Sequence, residues 1–421
     1  MAANQELIRD MNYHKILETI IREGCISRAD LAKRLGLTKA TVSSQVQNLL
    51  DDGLVEEAGV SRTSKGRHPI QLSFRGGSAH ALSFDIGLER INLLLSDLLG
   101  QDCYSRQFCW NPDEDELLPL LYRIIDTLLG YPRPEDWPSA GTICNATVDC
   151  SRPAAQPSAG TMHTDFSDMP LQKPLHLVGI SLAIHGVVRD NEILFTPYYN
   201  LEHAPLREKL TQRYSLPVFI ENEANLSALG EKTFSHKVSN LVNISVHSGI
   251  GLGIIMDGRL YSGANGFAGE FGHTIVEPHG RPCPCGNHGC IEQYASETAI
   301  LRKYNQLSNT TEGTVDDLVS DYQKKEGAAL LAIEDFVTYM AIGINNIVNI
   351  FNPQLIVINS SITAYLPDVT AQIYGKLANR MSRECKIVPS TLQDTATLLG
   401  GVCLCSRNYL GVEEFCPALG R

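Results

Sequence analysis

The feature that most constrains this chain is the loop Cys283-Pro284-Cys285-Gly286-Asn287-His288-Gly289-Cys290, with His273 on the segment before it. Three cysteines this close together, set among Pro, Gly and polar side chains, make poor core. They make a good chelating turn, because Zn2+ takes four borderline or soft ligands in a tetrahedron, which thiolates and an imidazole supply. The set His273, Cys283, Cys285 and Cys290 is of the closed, structural type. His279 and His288 are competing ligands that rank below His273. A fold carrying this loop must bring two segments together around one ion.

The other cysteines, of 12 in 421 residues, are scattered. With no basic-then-apolar leader at the N-terminus, they argue against an extracellular disulfide framework. The longest apolar runs, such as 241–255, are broken by Asn243, His247 and glycines, so no membrane span is expected. A cytoplasmic protein of two or three domains is the simplest expectation. Net charge is −12, yet residues 1–75 hold 11 Lys+Arg against 9 Asp+Glu. A mildly basic head on an acidic body fits a small nucleic-acid module joined to a sensor.

The head reads as three helices and a wing. Ile16, Leu17, Ile20 and Ile21 form one stripe over residues 12–23. Gly24 ends that helix. Ser27 and Asp30 make a capping-box pattern for a short second helix, and Gly36-Leu37 a tight turn. Thr38 caps a third helix with apolar Val42, Val46, Leu49 and Leu50. This is a helix-turn-helix, whose second helix enters the major groove. Lys39, Thr41, Ser43, Ser44 and Gln47 are the residues expected to meet phosphates or base edges. Two strands then flank a basic loop, with Lys65 and Arg67 at phosphates or in the minor groove. A packing module that touches no DNA fits the periodicity equally well; the cap, turn and basic wing in order favour DNA. Residues 75–78 read as a linker.

From Ala79 onward strands and helices alternate, as in an α/β domain. Strands are expected in ALSFDIG, INLLLSDL, LVGISLAIHGVV (as a pair), LPVFIENE, the two halves of LVNISVHSGIGLGIIMDG, and LIVINS. Helices are expected over 201–214, 224–231 and about 327–351. Residues 132–174, rich in Pro, Ser, Ala and Thr, read as a surface insertion. No short-period repeat is visible.

Several motifs in order resemble one family. GFAGEFGH at 266–273, the cysteine loop ending in Gly289-Cys290-Ile291-Glu292, ENEAN at 221–225, and HSGIGLGIIMDGRLYSGANG at 247–266 are similar to the ROK family of repressors, open reading frames and kinases. The head and the ENEAN motif look most like its xylose-repressor branch. The resemblance implies an actin-like, ribonuclease-H-like two-lobed sugar-kinase fold behind a winged helix-turn-helix. It implies a head over 1–75, a first lobe over 79–220 completed by 400–421, and a second lobe with the metal loop over 221–399. It also implies a sugar site of Asn222, Glu223, Glu270, His273 and Glu292, with Glu223 at the base position of the kinases. Carboxylates and amides suit this role because they read vicinal hydroxyls in pairs. A His bound to zinc through one nitrogen has the other free and fixed in direction. Glu231 and Glu277, by contrast, read as solvated surface charges.

The family's kinases begin with a DxGGTK-like turn at the ATP phosphates. This chain has Asp85-Ile86-Gly87-Leu88-Glu89-Arg90. Leu88 replaces a glycine, Glu89 would repel phosphate, and Glu223 stands where the kinases have Asp. One extra methylene moves a carboxylate by about 1 Å, a misplacement that can cost about 10²-fold. The glycine loop at 248–253 is intact but unspecific. The expectation is a homodimeric or higher-order repressor on a palindromic, A·T-rich operator, gated by a sugar of unspecified identity and lacking kinase activity. The alternative is a ROK sugar kinase that retains ATP-dependent phosphorylation.

Overall fold

The computed structural model describes residues 2–60, 69–101, 103–112, 116–130, 175–197, 199–378 and 380–418. The head is built from helices Ala2–Glu23, Arg28–Leu35 and Lys39–Asp51. Ile16, Leu17, Ile20, Leu31, Val42, Val46 and Leu49 are fully buried at its centre. The Ser27 hydroxyl accepts the Asp30 N–H, Thr38 accepts the Thr41 N–H, and Gly36 closes the second helix at φ +64°. The first helix starts ten residues earlier than its apolar stripe. Residues 5–10 are exposed, so burial periodicity carried no signal there.

Strands Val55–Val60 and Ile70–Phe74 pair antiparallel as the wing, with Ile26–Ser27 adding a third strand. Lys65 and Arg67 fall outside the described residues, as does the segment 132–174. The Arg75–Ser78 segment is not a loose linker. Gly76–Ser78 form a 3-10 turn, and the Gly76 carbonyl accepts the Leu98 N–H at 3.2 Å.

Among the described residues the body has two five-stranded sheets of identical topology. In the first, Cys103–Cys109, Arg90–Asp97 and His80–Ile86 run antiparallel, followed by parallel Leu177–Ile184 and Val218–Asn222. In the second, Arg259–Leu260, Ile250–Met256 and Leu241–Val246 run antiparallel, followed by parallel Leu355–Ser360 and Lys386–Pro389. The two sheets are a duplicated unit that no short-period repeat in the sequence discloses. LVGISLAIHGVV is not a strand pair. Leu177–Ile184 stays in the first sheet, whereas Val187–Arg189 pairs with Glu192–Phe195. The helix expected over 201–214 begins at Leu206, because Pro205 and left-handed His203 occupy the turn before it.

Helices Leu117–Leu129 and Leu206–Tyr214 cover the outer face of the first sheet. Helix Gly327–Phe351 covers the outer face of the second. It is long and apolar enough to cross a membrane, but half of its most apolar window is buried inside the protein. Between the sheets lie helices Glu223–Gly230 and Thr395–Leu410, packed on each other. The crossing is close. A Cβ on Gly230 would sit 2.0 Å from the Ala396 carbonyl oxygen, and one on Gly400 would sit 1.9 Å from that of Leu226.

Beyond Leu410 the chain runs back to the head. Phe415 is buried in a core shared by head helices and first-lobe residues Ala79, Leu98 and Val178. The Glu18 carboxylate accepts the N–H groups of Glu413 and Glu414 at 2.9 and 3.4 Å, and Ala418 N–H donates to the Ile21 carbonyl. Head and body are thus joined by the 76–78 turn and by this tail.

Gly400→Ala is expected to lower stability by about 1–3 kcal/mol, because the two central helices must part to admit a methyl group. Gly77→Ala, whose Cβ meets nothing within 4 Å, should stay within about 0.5 kcal/mol. Chemical denaturation of the two variants checks this.

Candidate functional site

The cysteine loop is fixed by its own backbone. Cys283 N–H donates to the Asn287 carbonyl at 2.9 Å and Gly286 N–H to that of Cys283 at 3.0 Å. Gly289, at φ +78°, lies so close to the Glu277 carbonyl that a Cβ would be 1.8 Å from its oxygen. A bridge between Ile275 and Cys290 ties the loop to the segment after His273. The ligand atoms of His273, Cys283, Cys285 and Cys290 all lie within 4.8 Å of one another. His279 and His288 are exposed and outside this group. Three thiols and an imidazole converging this tightly suit a metal cation, which removes the thiol protons and relieves the crowding of sulfur. Cys283, Cys285 and Cys290 are free thiols, whereas Cys109 is disulfide-bonded.

His273 serves two neighbourhoods. Its Nδ1 is 3.6 Å from Cys283 Sγ, and its Nε2 is 3.7 Å from Glu270 Oε2. Burial raises the Glu270 carboxyl above its ordinary range; His273 opposes the shift and Glu292 adds to it. Glu292 opens a short helix and accepts the Ile250 N–H at 3.2 Å, pinning the start of the strand Ile250–Met256. One residue further along, a Cβ on Gly251 would be 3.6 Å from Glu223 Oε1. Glu270, His273, Glu292 and Glu223 are therefore gathered around one glycine-strand end. Asn222 is largely committed to structure. Its Oδ1 caps the helix by accepting from Ala224 and Asn225 N–H, and its Nδ2 donates to the Gly186 carbonyl.

Glu223 also lines a cleft of about 360 Å3 with Asp85, Gly87, Leu88, Glu89, Arg90, Asn92, His185, His247, Asn359, Asp394 and Thr397. Here sequence reasoning missed a cluster. His185 Nε2 is 3.0 Å from Asp85 Oδ1, and Asn92 Nδ2 donates to Asp85 Oδ2 at 3.1 Å. Burial opposes the Asp85 charge, but His185 and Asn92 outweigh it and hold the carboxyl below its usual range. The only sequence signal was a lone His followed by Gly at the end of a buried strand. Leu88 packs against the first-lobe core, and Trp110 Nε1 donates to the Gly87 carbonyl at 2.8 Å.

On the head, Lys39, Ser43, Ser44 and Gln47 are exposed along one helix and Thr41 is half-buried. Gln47 Nε2 donates to Asp51 at 2.8 Å, and Thr41 shares a hydrogen bond with Thr38.

A family model described as ROK family matches residues 144–408. The chain is 31% identical over 414 residues to the xylose repressor of Bacillus subtilis strain 168, spanning 94% of this chain and 95% of that one. The chain belongs to the ROK family. A second model, winged helix-turn-helix DNA-binding, matches residues 14–56 of this ROK protein. The DNA-binding transcriptional dual regulator NagC of Escherichia coli K12 is 26% identical over 423 residues, 97% of this chain and 95% of its own. A crystal structure of a ROK family transcriptional regulator, homologous to the E. coli MLC protein, superposes with TM-score 0.74 at 25% identity over 96% of this chain and 98% of its own. A Streptomyces griseus ROK family glucokinase in complex with glucose and AMPPNP shares the fold at TM-score 0.59 and 22% identity, covering 77% of this chain and 99% of its own.

Two carboxylates are not the solvated charges expected. Glu277 is half-buried and accepts the Tyr339 hydroxyl at 3.1 Å. Glu231 is fully buried in a π-helical turn at the end of the Glu223 helix, hydrogen-bonded to the Ser390 hydroxyl. Burial pushes its pKa up to about 7. Such a carboxyl binds its proton more tightly folded than unfolded, so its contribution is greatest below about pH 4.5 and is lost as pH rises through about 7. Against Glu231→Gln, the wild type should lose about 3 kcal/mol of stability across that window; parallel pH-dependent denaturation of the two proteins measures it.

Proposed function

We propose that this ROK protein is a sugar-responsive transcriptional repressor of carbohydrate-metabolism genes, acting in the cytoplasm as a homodimer or higher homo-oligomer on operator DNA. The observation that carries this reading is a winged helix-turn-helix head on a ROK body, matched along almost the whole chain by relatives named as a xylose repressor and a DNA-binding transcriptional dual regulator. Lys39, Thr41, Ser43, Ser44 and Gln47 meet the DNA, with Lys65 and Arg67 on the wing. The head is residues 1–75, the first lobe 79–220 completed by 400–421, and the second lobe 221–399.

His273, Cys283, Cys285 and Cys290 hold a structural Zn2+, which, when bound, fixes the loop and polarises the imidazole. Asn222, Glu223, Glu270, His273 and Glu292 take the sugar. The split of His273 between thiols and Glu270 supports this pairing of metal and sugar sites. Sugar favours a closed arrangement of the lobes, and the central helix Thr395–Leu410 continues into the tail that grips the head. A shift in that tail alters the spacing of two heads on their half-sites, and the operator is released. The effector acts only through its differential affinity for the two arrangements.

The kinase reaction is absent. Leu88 packs against the first-lobe core where a phosphate-binding turn needs glycine, Glu89 lines the cleft with a repelling charge, and Glu223 stands where the kinases have Asp.

Glu270→Ala is expected to bind operator and to ignore the sugar, read by mobility shift with and without D-xylose; normal release by this variant sinks the site. Cys285→Ser should fall well below the one metal per chain expected of wild type, read by elemental analysis; an unchanged content rejects the ligand set. A thermal-shift panel of sugars with and without ATP, with analysis for phosphorylated product, tests the whole reading. Stabilisation without turnover is expected, and turnover would make the protein a kinase.

A further inference from the structure

Three ionisable groups line up in the cleft: Asp85, His185 and Glu223. Asp85 comes from the first strand of the first sheet, His185 from the end of the neighbouring strand, and Glu223 from the start of a central helix. The Asp85 hydrogen bond fixes the ring, with Nε2–H at the carboxylate and Nδ1 turned to Glu223 Oε1 at 4.0 Å. That gap is too long for a hydrogen bond. An oxygen about 2.8 Å from both atoms closes it at an angle of about 90°. An alcohol hydroxyl has one proton and two lone pairs, so it can accept from Nδ1–H while donating to the carboxylate.

We infer that His185 is a specificity-determining residue of the effector cleft, whose Nδ1–H, together with the Glu223 carboxylate, reads one hydroxyl of a neutral sugar. This rests on the sugar-sensing reading above and assigns a residue beyond its five ligands. The pair is one donor and one acceptor, the match a hydroxyl requires. The cleft around it supplies further hydroxyl partners in Asn92, Asn359 and Thr397. Its carboxylates, Asp85, Glu89, Glu223 and Asp394, outnumber its one guanidinium, Arg90, which favours an uncharged ligand over a phosphorylated one.

The protonation state gives the pair a signature. Burial works against the His185 charge, but Asp85 and then Glu223 outweigh it and raise its pKa to about 9. Besides these two, His247, Glu89, Arg90 and Asp394 line the cleft. Above about pH 9 the ring keeps Nε2–H for Asp85 and Nδ1 becomes an acceptor. The hydroxyl then faces two acceptors with one proton, so affinity falls as pH rises through this value.

The test is calorimetric titration of the full chain with D-xylose and D-glucose across that pH range, for wild type and His185→Phe, with single-deoxy forms of whichever sugar binds. His185→Phe is expected to bind that sugar about 10- to 100-fold more weakly. One deoxy sugar should lose affinity for wild type but lose little more for the variant, the coupling expected of a direct contact. The wild-type pH profile needs no variant and decides the matter if His185→Phe does not fold. Equal affinity in both proteins, or a flat wild-type profile, overturns the role of His185 and leaves the sugar site standing. Failure of wild type to bind either sugar overturns this inference and counts against the sensing reading itself.

Discussion

The close crossing of the two central helices is the contact on which the rest of the structure depends. Each lobe contributes a twisted sheet with one face turned inward, and the helices Glu223–Gly230 and Thr395–Leu410 fill the space between those faces. Only glycine at 230 and 400 lets the backbones touch, since any Cβ there would overlap a carbonyl of the other helix. Gly253 repeats the device on the second sheet, where a Cβ would be 2.2 Å from the Ala224 carbonyl oxygen. Layers packed this tightly transmit displacement, because a close-packed interior has few voids to absorb it. Both helices also begin at the cleft, with Glu223 and Thr397 in its lining.

The same geometry joins the cleft to the winged helix-turn-helix head through one continuous helix and its tail. The Thr395–Leu410 helix starts beside Glu223, its Thr397 hydroxyl donating to the Glu223 carbonyl, and ends in the tail that packs Phe415 into the head core. Glu18 and Ile21 of the first head helix receive that tail by hydrogen bonds. In the proposed function, closure at the cleft therefore meets no free joint before the head. The buried Glu231 stands at the other end of the first central helix, bound to Ser390 just ahead of the second.

The cysteine loop plays a different part. Cys283 and Cys290 are buried, and the loop's shape comes from glycines and backbone hydrogen bonds. What it adds is direction. With Nδ1 turned to the thiols, His273 has its Nε2 facing Glu270. Glu292, two residues beyond Cys290, anchors the glycine strand that Glu223 approaches. The four donor atoms and the carboxylates of Glu270 and Glu292 thus lie within residues 270–292.

Local chemistry was legible in the sequence wherever a residue's role is set by near neighbours. The Ser27 and Thr38 caps, the Gly36 turn, the apolar stripes of the head and the convergence of His273 with three cysteines follow from spacing and donor type, because each needs only a few bonds of chain to form. Burial was not legible. Glu231 and Glu277 look like any exposed glutamate, and only the packing of distant segments removes water from them. Asp85 and His185 are 100 residues apart, joined because their parallel strands are neighbours in one sheet. The duplicated sheets are likewise a property of pairing that no repeat in the sequence betrays. The sequence by itself determined the head, the donor set of His273 and three cysteines, and the α/β alternation. The tertiary structure alone decided which carboxylates are buried, which histidine faces Glu223, and how the tail holds the head, since these depend on contacts between segments that no local rule relates.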